Sequence, residues 1–138
     1  MNNDNIYNSI RARGGRITRI RKEIVRALSQ AGCLLSQDDI LDRLRTIRIR
    51  PCRSTLYREL LYLSKNRIVT KNTISDVHYY EISSDHHHHL ICNKCDSIEK
   101  VVMNNHLKTQ EGRIAKRNKF SIISHSLDFY GVCHKCMA

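Results

Sequence analysis

Two short cysteine pairs, Cys92-x-x-Cys95 and Cys133-x-x-Cys136, carry the clearest chemical signal in the sequence. Each pair offers two thiolates to one ion, and Zn²⁺ closes its shell with four such ligands, so the two pairs read as one tetrahedral structural zinc site. Disulfides are the less favoured reading for a chain expected in a reducing compartment. Cys33 and Cys52 stand alone and read as small, buried or half-exposed hydrophobes. Immediately before the first pair runs His86-His87-His88-His89. In an extended segment alternate side chains point to opposite faces, which sends His86 and His88 one way and His87 and His89 the other. One strand would then feed two metal sites, with Glu81, Asp85 and His125 as further donors. Mixed nitrogen and oxygen ligation suits Zn²⁺, Fe²⁺, Mn²⁺ or Ni²⁺, and residue type does not choose among them.

The elements that must position these ligands divide the 138-residue chain by charge. Up to Lys71 there are 16 basic and 6 acidic residues; beyond it there are 8 and 7, together with all eight histidines and four of the six cysteines. A net charge of +11 held almost entirely in one half points to a polyanion partner, since neutralised phosphates release counterions. No apolar run approaches the ~20 residues of a membrane helix, and no apolar stretch follows the polar residues 1–8 as in a secretory signal. A cytoplasmic protein with no membrane partner is expected.

Residues 1–13 lack sustained apolar periodicity and end at Gly14-Gly15, so they read as a mobile basic arm. From Thr18, a capping residue, Ile20, Ile24, Val25 and Leu28 recur at helical spacing up to Gly32. Ser36 with Asp39 forms a capping-box pattern ahead of Ile40, Leu41 and Leu44. After Pro51, Ser54 offers a third cap for a helix buried through Leu56, Leu60, Leu61 and Leu63. The runs Ile68 to Thr70 and Val77 to Ile82 then read as a hairpin. Three helices and a hairpin make a winged helix-turn-helix, whose last helix enters the major groove of double-stranded DNA. Arg53, Ser54, Thr55, Tyr57 and Arg58 are its candidate DNA contacts. The expected class is α+β: a winged helix over residues 1–83, followed over 84–138 by a small α/β domain with the four-cysteine zinc site.

With these residues in place the chain resembles the ferric uptake regulator (Fur) family of bacterial metal-responsive repressors. The run at 86–95 is similar to the family's His-His-Asp-His-Leu-Ile-Cys-x-x-Cys, and Ser54 to Arg58 to its Ala-Thr-Val-Tyr-Arg recognition helix. His125-Ser126-Leu127 and Tyr130-Gly131-x-Cys133 add to the likeness. The resemblance implies a homodimer formed by the C-terminal domain, gripping a palindromic operator and repressing metal-homeostasis genes. It implies a second divalent ion, Fe²⁺, Zn²⁺ or Mn²⁺, as co-repressor beside the structural Zn²⁺. By position, Glu81, His87 and His89 match the regulatory site, His86, His88 and His125 match an additional site, and Arg16 matches a minor-groove contact.

Departures from the family pattern bear on metal preference. Leu34 replaces the hinge-site histidine, with Cys33 beside it as a soft substitute; His88 replaces an aspartate; Lys100 replaces a glutamate, with Glu99 one place earlier. The acidic ligand expected further on aligns with Lys108, leaving His106 or Glu111 to replace it. Losing carboxylates and gaining imidazole or thiol moves the ligand field toward zinc. Rival readings are a metal-dependent nuclease, a metal buffer without operator specificity and a peroxide-sensing member of the same family.

Overall fold

The computed structural model describes residues 2–83, 87–104 and 106–138, without the side chain of His106. The chain forms two compact units, Met1–Asp85 and His86–Ala138. Among the described residues, no helix is long and apolar enough to cross a membrane.

The first unit opens with α1, Asn3–Ala12, where a mobile arm was expected. Ile6 and Ile10, one turn apart, are 1% and 0% exposed and join the core, while Ser29 Oγ donates to Asn3 Oδ1 at 2.6 Å. Two apolar residues are too few to register as a periodic pattern, and burial against other helices decides the matter. Gly14 leaves the helix at φ 76°, and a Cβ on Gly15 would collide with the Tyr62 hydroxyl and the Ile10 side chain.

Helix α2, Arg19–Ala31, starts where Thr18 accepts from the Arg21 N–H and ends at Gly32 in the left-handed region. After the two-residue β1, Leu35–Ser36, Ser36 and Asp39 exchange both hydrogen bonds of a capping box at the head of α3, Gln37–Thr46. Helix α4, Arg53–Lys65, is capped by Cys52, not by Ser54 as expected. Proline restrains the residue before it and not those after it, so the helix begins immediately beyond Pro51-Cys52, its first bond running from the Leu56 N–H to the Cys52 carbonyl at 3.1 Å. Leu56, Leu60 and Leu63 lie in the core, whereas Leu61, assigned to the buried stripe from sequence, is 39% exposed.

The hairpin joins β2, Val69–Ile74, to β3, Val77–Ile82, through Ser75-Asp76, both at positive φ as a tight hairpin turn requires. Residues 71–74, beyond the first apolar run, thus belong to the strand, with Ile74 opposite Val77. β1 pairs with β3 and completes a sheet of order β1-β3-β2.

The second unit is a three-stranded sheet, β5-β4-β6, with β4 (His88–Cys92) at its centre. β5, Ile98–Val101, runs antiparallel to it; β6, Asp128–Gly131, runs parallel after the crossover helix α5, His106–Asn118. A short α6, His134–Met137, follows. Residues 120–127, which hold His125, have no strand structure and lead into β6. The contiguous apolar core lies wholly between Ile6 and Ile82. In the second unit the fully buried described residues are His88, His89, Ile91 and Cys92.

Candidate functional site

The cysteine pairs occupy the ends of unlike elements. Cys92 closes β4 and Cys95 lies in the turn after it; Cys133 caps α6 and Cys136 lies within it. Parallel pairing of β4 with β6, Cys92 opposite Gly131, carries both pairs to the same end of the sheet. The four sulfurs all fall within 4.8 Å of one another, with Cys95 and Cys133 at 3.7 Å. A tetrahedral ion with Zn–S bonds of about 2.3 Å requires sulfurs about 3.8 Å apart, so the cage fits zinc in donor type and in size.

Backbone dipoles reinforce it. The Cys133 N–H points at the Cys92 sulfur at 3.3 Å, and this donor, followed by the Cys95 N–H, lowers the Cys92 thiol to about 6. Cys133 is lowered in turn, chiefly by the Cys136 N–H. Cys136 is pushed up to about 12 because its proton is held by the neighbouring sulfurs, Cys133 first and then Cys95. Without a cation Cys136 holds a proton that a bound zinc would expel, while Cys92 and Cys133 are already biased toward thiolate.

His89 of β4 and His87, the residue just before the strand, meet edge to face with ring centroids 5.0 Å apart. His89 is buried, and its Nδ1 lies 3.1 Å from Asp128 Oδ1. The opposite parity belongs to His88, 2% exposed and stacked on His125 with centroids 5.6 Å apart. Glu111 of α5 bonds to His125 Nδ1, and His88, Glu111 and His125 line one cavity of about 390 Å³ together with Lys108. His88, His125 and Glu111 are thus brought together. His86 and Asp85 lie outside the described residues, as does the His106 side chain. Register settles the choice between Glu99 and Lys100: Glu99 faces Leu90, whereas Lys100 is the direct neighbour of His89. In the first unit Glu81 is buried on β3, Leu34 is buried and Cys33 is half-buried.

Helix α4 turns Arg53, Ser54, Tyr57 and Arg58 outward and Thr55 partly so. Tyr57 is 47% exposed, which removes it from the core. Arg53 holds an exposed ion pair of 2.7 Å with Asp38, a weak contact that a phosphate would displace at little cost. Arg16 is exposed ahead of α2. The Ser54 and Thr55 hydroxyls each lie 3.1 Å from Cys52 Sγ. Sequence reasoning also passed over an anchor beneath this helix: Arg21 forks onto Glu59 at 2.7 and 3.2 Å and stacks 3.8 Å above the Tyr62 ring. Asp128 was missed as well, although an acidic residue opening the segment Asp128-Phe129-Tyr130 was a visible signal.

Comparison with known proteins agrees with this arrangement. The Ferric uptake regulator family model matches residues 12–130. The Ferric uptake regulation protein of Helicobacter pylori is 28% identical over 130 residues, spanning 93% of this chain and 86% of that protein. The solved Helicobacter pylori ferric uptake regulator, described as having three functional metal binding sites, superposes with a TM-score of 0.80 at 26% identity, covering 98% of this chain and 91% of that one. An iron-containing ferric uptake regulator from Francisella tularensis gives a TM-score of 0.74 at 25% identity, covering 91% and 96%. A winged-helix-type first unit, a four-thiol cage and a family match across residues 12–130 place the chain in the ferric uptake regulator family of metal-responsive transcriptional regulators.

Proposed function

We propose that this regulator is a homodimeric, metal-dependent repressor that reads a double-stranded operator through α4. In this reading Cys92, Cys95, Cys133 and Cys136 hold a structural Zn²⁺, and Glu81, His87, His89 and Cys33 hold the regulatory ion. His88, His125 and Glu111, with His86, form an additional site. The observation that carries the reading is the alternation at the head of β4: His89 meets His87, the residue just before the strand, His88 stacks against His125, and a cysteine pair begins at the strand's end. A strand so built serves several ligand sets at once.

A second copy of the chain is supported by the apolar surface of the second unit. Leu90, Phe129, Tyr130 and Val132 are 41–57% exposed, and Ile123 is 81% exposed. Surface of that kind on so small a unit favours association. Regulation follows from population shift: ligands from both units that share one divalent ion restrict how the basic units of a dimer are disposed. An operator with half-sites about 34 Å apart selects the matching arrangement. The control needs differential affinity between arrangements, and a few kcal/mol moves occupancy substantially.

The test is anisotropy with a labelled fragment of the protein's own promoter, after mild chelation and separate re-addition of Zn²⁺, Mn²⁺ or Fe²⁺. Binding restored by one ion identifies the co-repressor; equal binding throughout rejects metal control. The relatives are named as regulators, which supports a binding protein over a nuclease, and plasmid nicking with Mg²⁺ or Mn²⁺ would reverse that judgement.

A further inference from the structure

Because β4 is the middle strand, His89 has a direct neighbour on each side: Lys100 on β5 and Asp128 on β6. Direct neighbours share a face of the sheet. Lys100 is exposed, and its ammonium has nothing to offer a cation site. Asp128 turns toward the ring instead, placing Oδ1 3.1 Å from His89 Nδ1, with side-chain exposures of 19% and 4%. An ionised carboxylate only accepts hydrogen bonds, so the proton of this contact belongs to Nδ1 and is donated to Asp128. In the neutral imidazole the lone pair then resides on Nε2.

We propose that Asp128 is a positioning residue of the regulatory metal site. By accepting from Nδ1 it fixes the tautomer and the ring orientation of His89 and raises the basicity of Nε2, the nitrogen that meets the ion. Metal-bound histidines commonly carry such a partner, and its loss typically costs about 10–100-fold in metal affinity. Where the family pattern sets a carboxylate on β5, this chain carries Lys100, and the carboxylate that serves His89 comes from the opposite strand. The inference rests on the reading of His89 as a ligand, and the experiment separates the two.

Full-length protein with its cysteine site filled by zinc is titrated with Co²⁺, following ligand-field absorption and competition with a chromophoric chelator. Asp128→Ala is expected to weaken Co²⁺ binding by about 10–100-fold with zinc content and circular dichroism unchanged. Asp128→Asn, whose amide oxygen still accepts from Nδ1–H, is expected to recover most of that loss. Imidazole ¹⁵N spectra should show the Nδ1–H tautomer of His89 in the wild type and in Asp128→Asn, and its loss in Asp128→Ala. Unchanged affinity in Asp128→Ala overturns the proposal, as does a loss in Asp128→Asn equal to that in Asp128→Ala, since negative charge would then be the active feature. Should His89→Ala bind Co²⁺ as tightly as the wild type, His89 is no ligand and the proposed regulatory site itself falls, irrespective of Asp128.

Discussion

Cys52 shows how much a single position can gain from its immediate neighbours. Its exposed sulfur, at the head of α4, receives hydrogen bonds from the Ser54 and then the Thr55 hydroxyl, which lower the thiol to about 6. A depressed value means that the reactive thiolate forms as pH rises through about 6 and predominates at neutrality. Alkylation by iodoacetamide should therefore rise with a midpoint near pH 6 and level off above it, as followed by mass spectrometry of the Cys52 peptide. Combined Ser54→Ala and Thr55→Ala substitutions should return the midpoint toward the ordinary thiol range of about 8.5. A midpoint unmoved by the double substitution would dissociate the thiol's acidity from these hydroxyls.

At the scale of elements, the placement of α4 depends on one polar anchor as well as on its leucines. Arg21 and Glu59 have side-chain exposures of 11% and 18%, so their forked contact is largely shielded from solvent. Glu59→Ala would leave the guanidinium above Tyr62 with one contact to the Arg16 carbonyl, and is expected to cost about 1–3 kcal/mol in chemical denaturation. Glu59→Gln should cost less, because the amide oxygen still accepts one bond. The outward face of α4 responds differently. Arg58→Ala and Tyr57→Ala should leave the denaturation midpoint within about 0.5 kcal/mol of wild type while weakening operator binding. Loss of fold stability in either variant would count against an outward, DNA-reading role.

For the whole molecule, the two units hold together on unlike principles. The first has a contiguous apolar core from Ile6 to Ile82; the second buries little apolar surface among its described residues and ties the end of β4 to its C-terminal helix through four sulfurs. A unit of that size with so small a core depends on a staple. Cys92→Ser or Cys133→Ser should lose the zinc and, with it, dimerisation in analytical ultracentrifugation, while the helical signal of the first unit persists. A stable dimer from either variant would show that the zinc is dispensable. Replacing His87 and His89 together by Ala should spare both zinc content and dimer and abolish the metal stimulation of DNA binding.

Much of this architecture was legible in the residues because it is written locally. Thr18, Gly32 and Ser36 set helix ends through bonds to residues at most four positions away, and alternation along β4 follows from strand geometry alone. Cysteine spacing announces a zinc cage because two thiols with two residues between them suit one ion. The tertiary structure decided what depends on pairing at a distance. Helix α1 exists because Ile6 and Ile10 find a core, and Glu111 reaches His125 because the chain from α5 back to β6 folds the two together. Register separates Glu99 from His89 and gives it Asp128, 39 residues away, as its neighbour. A sequence fixes which donors a chain owns, whereas strand register, a product of the whole packing, fixes which of them meet.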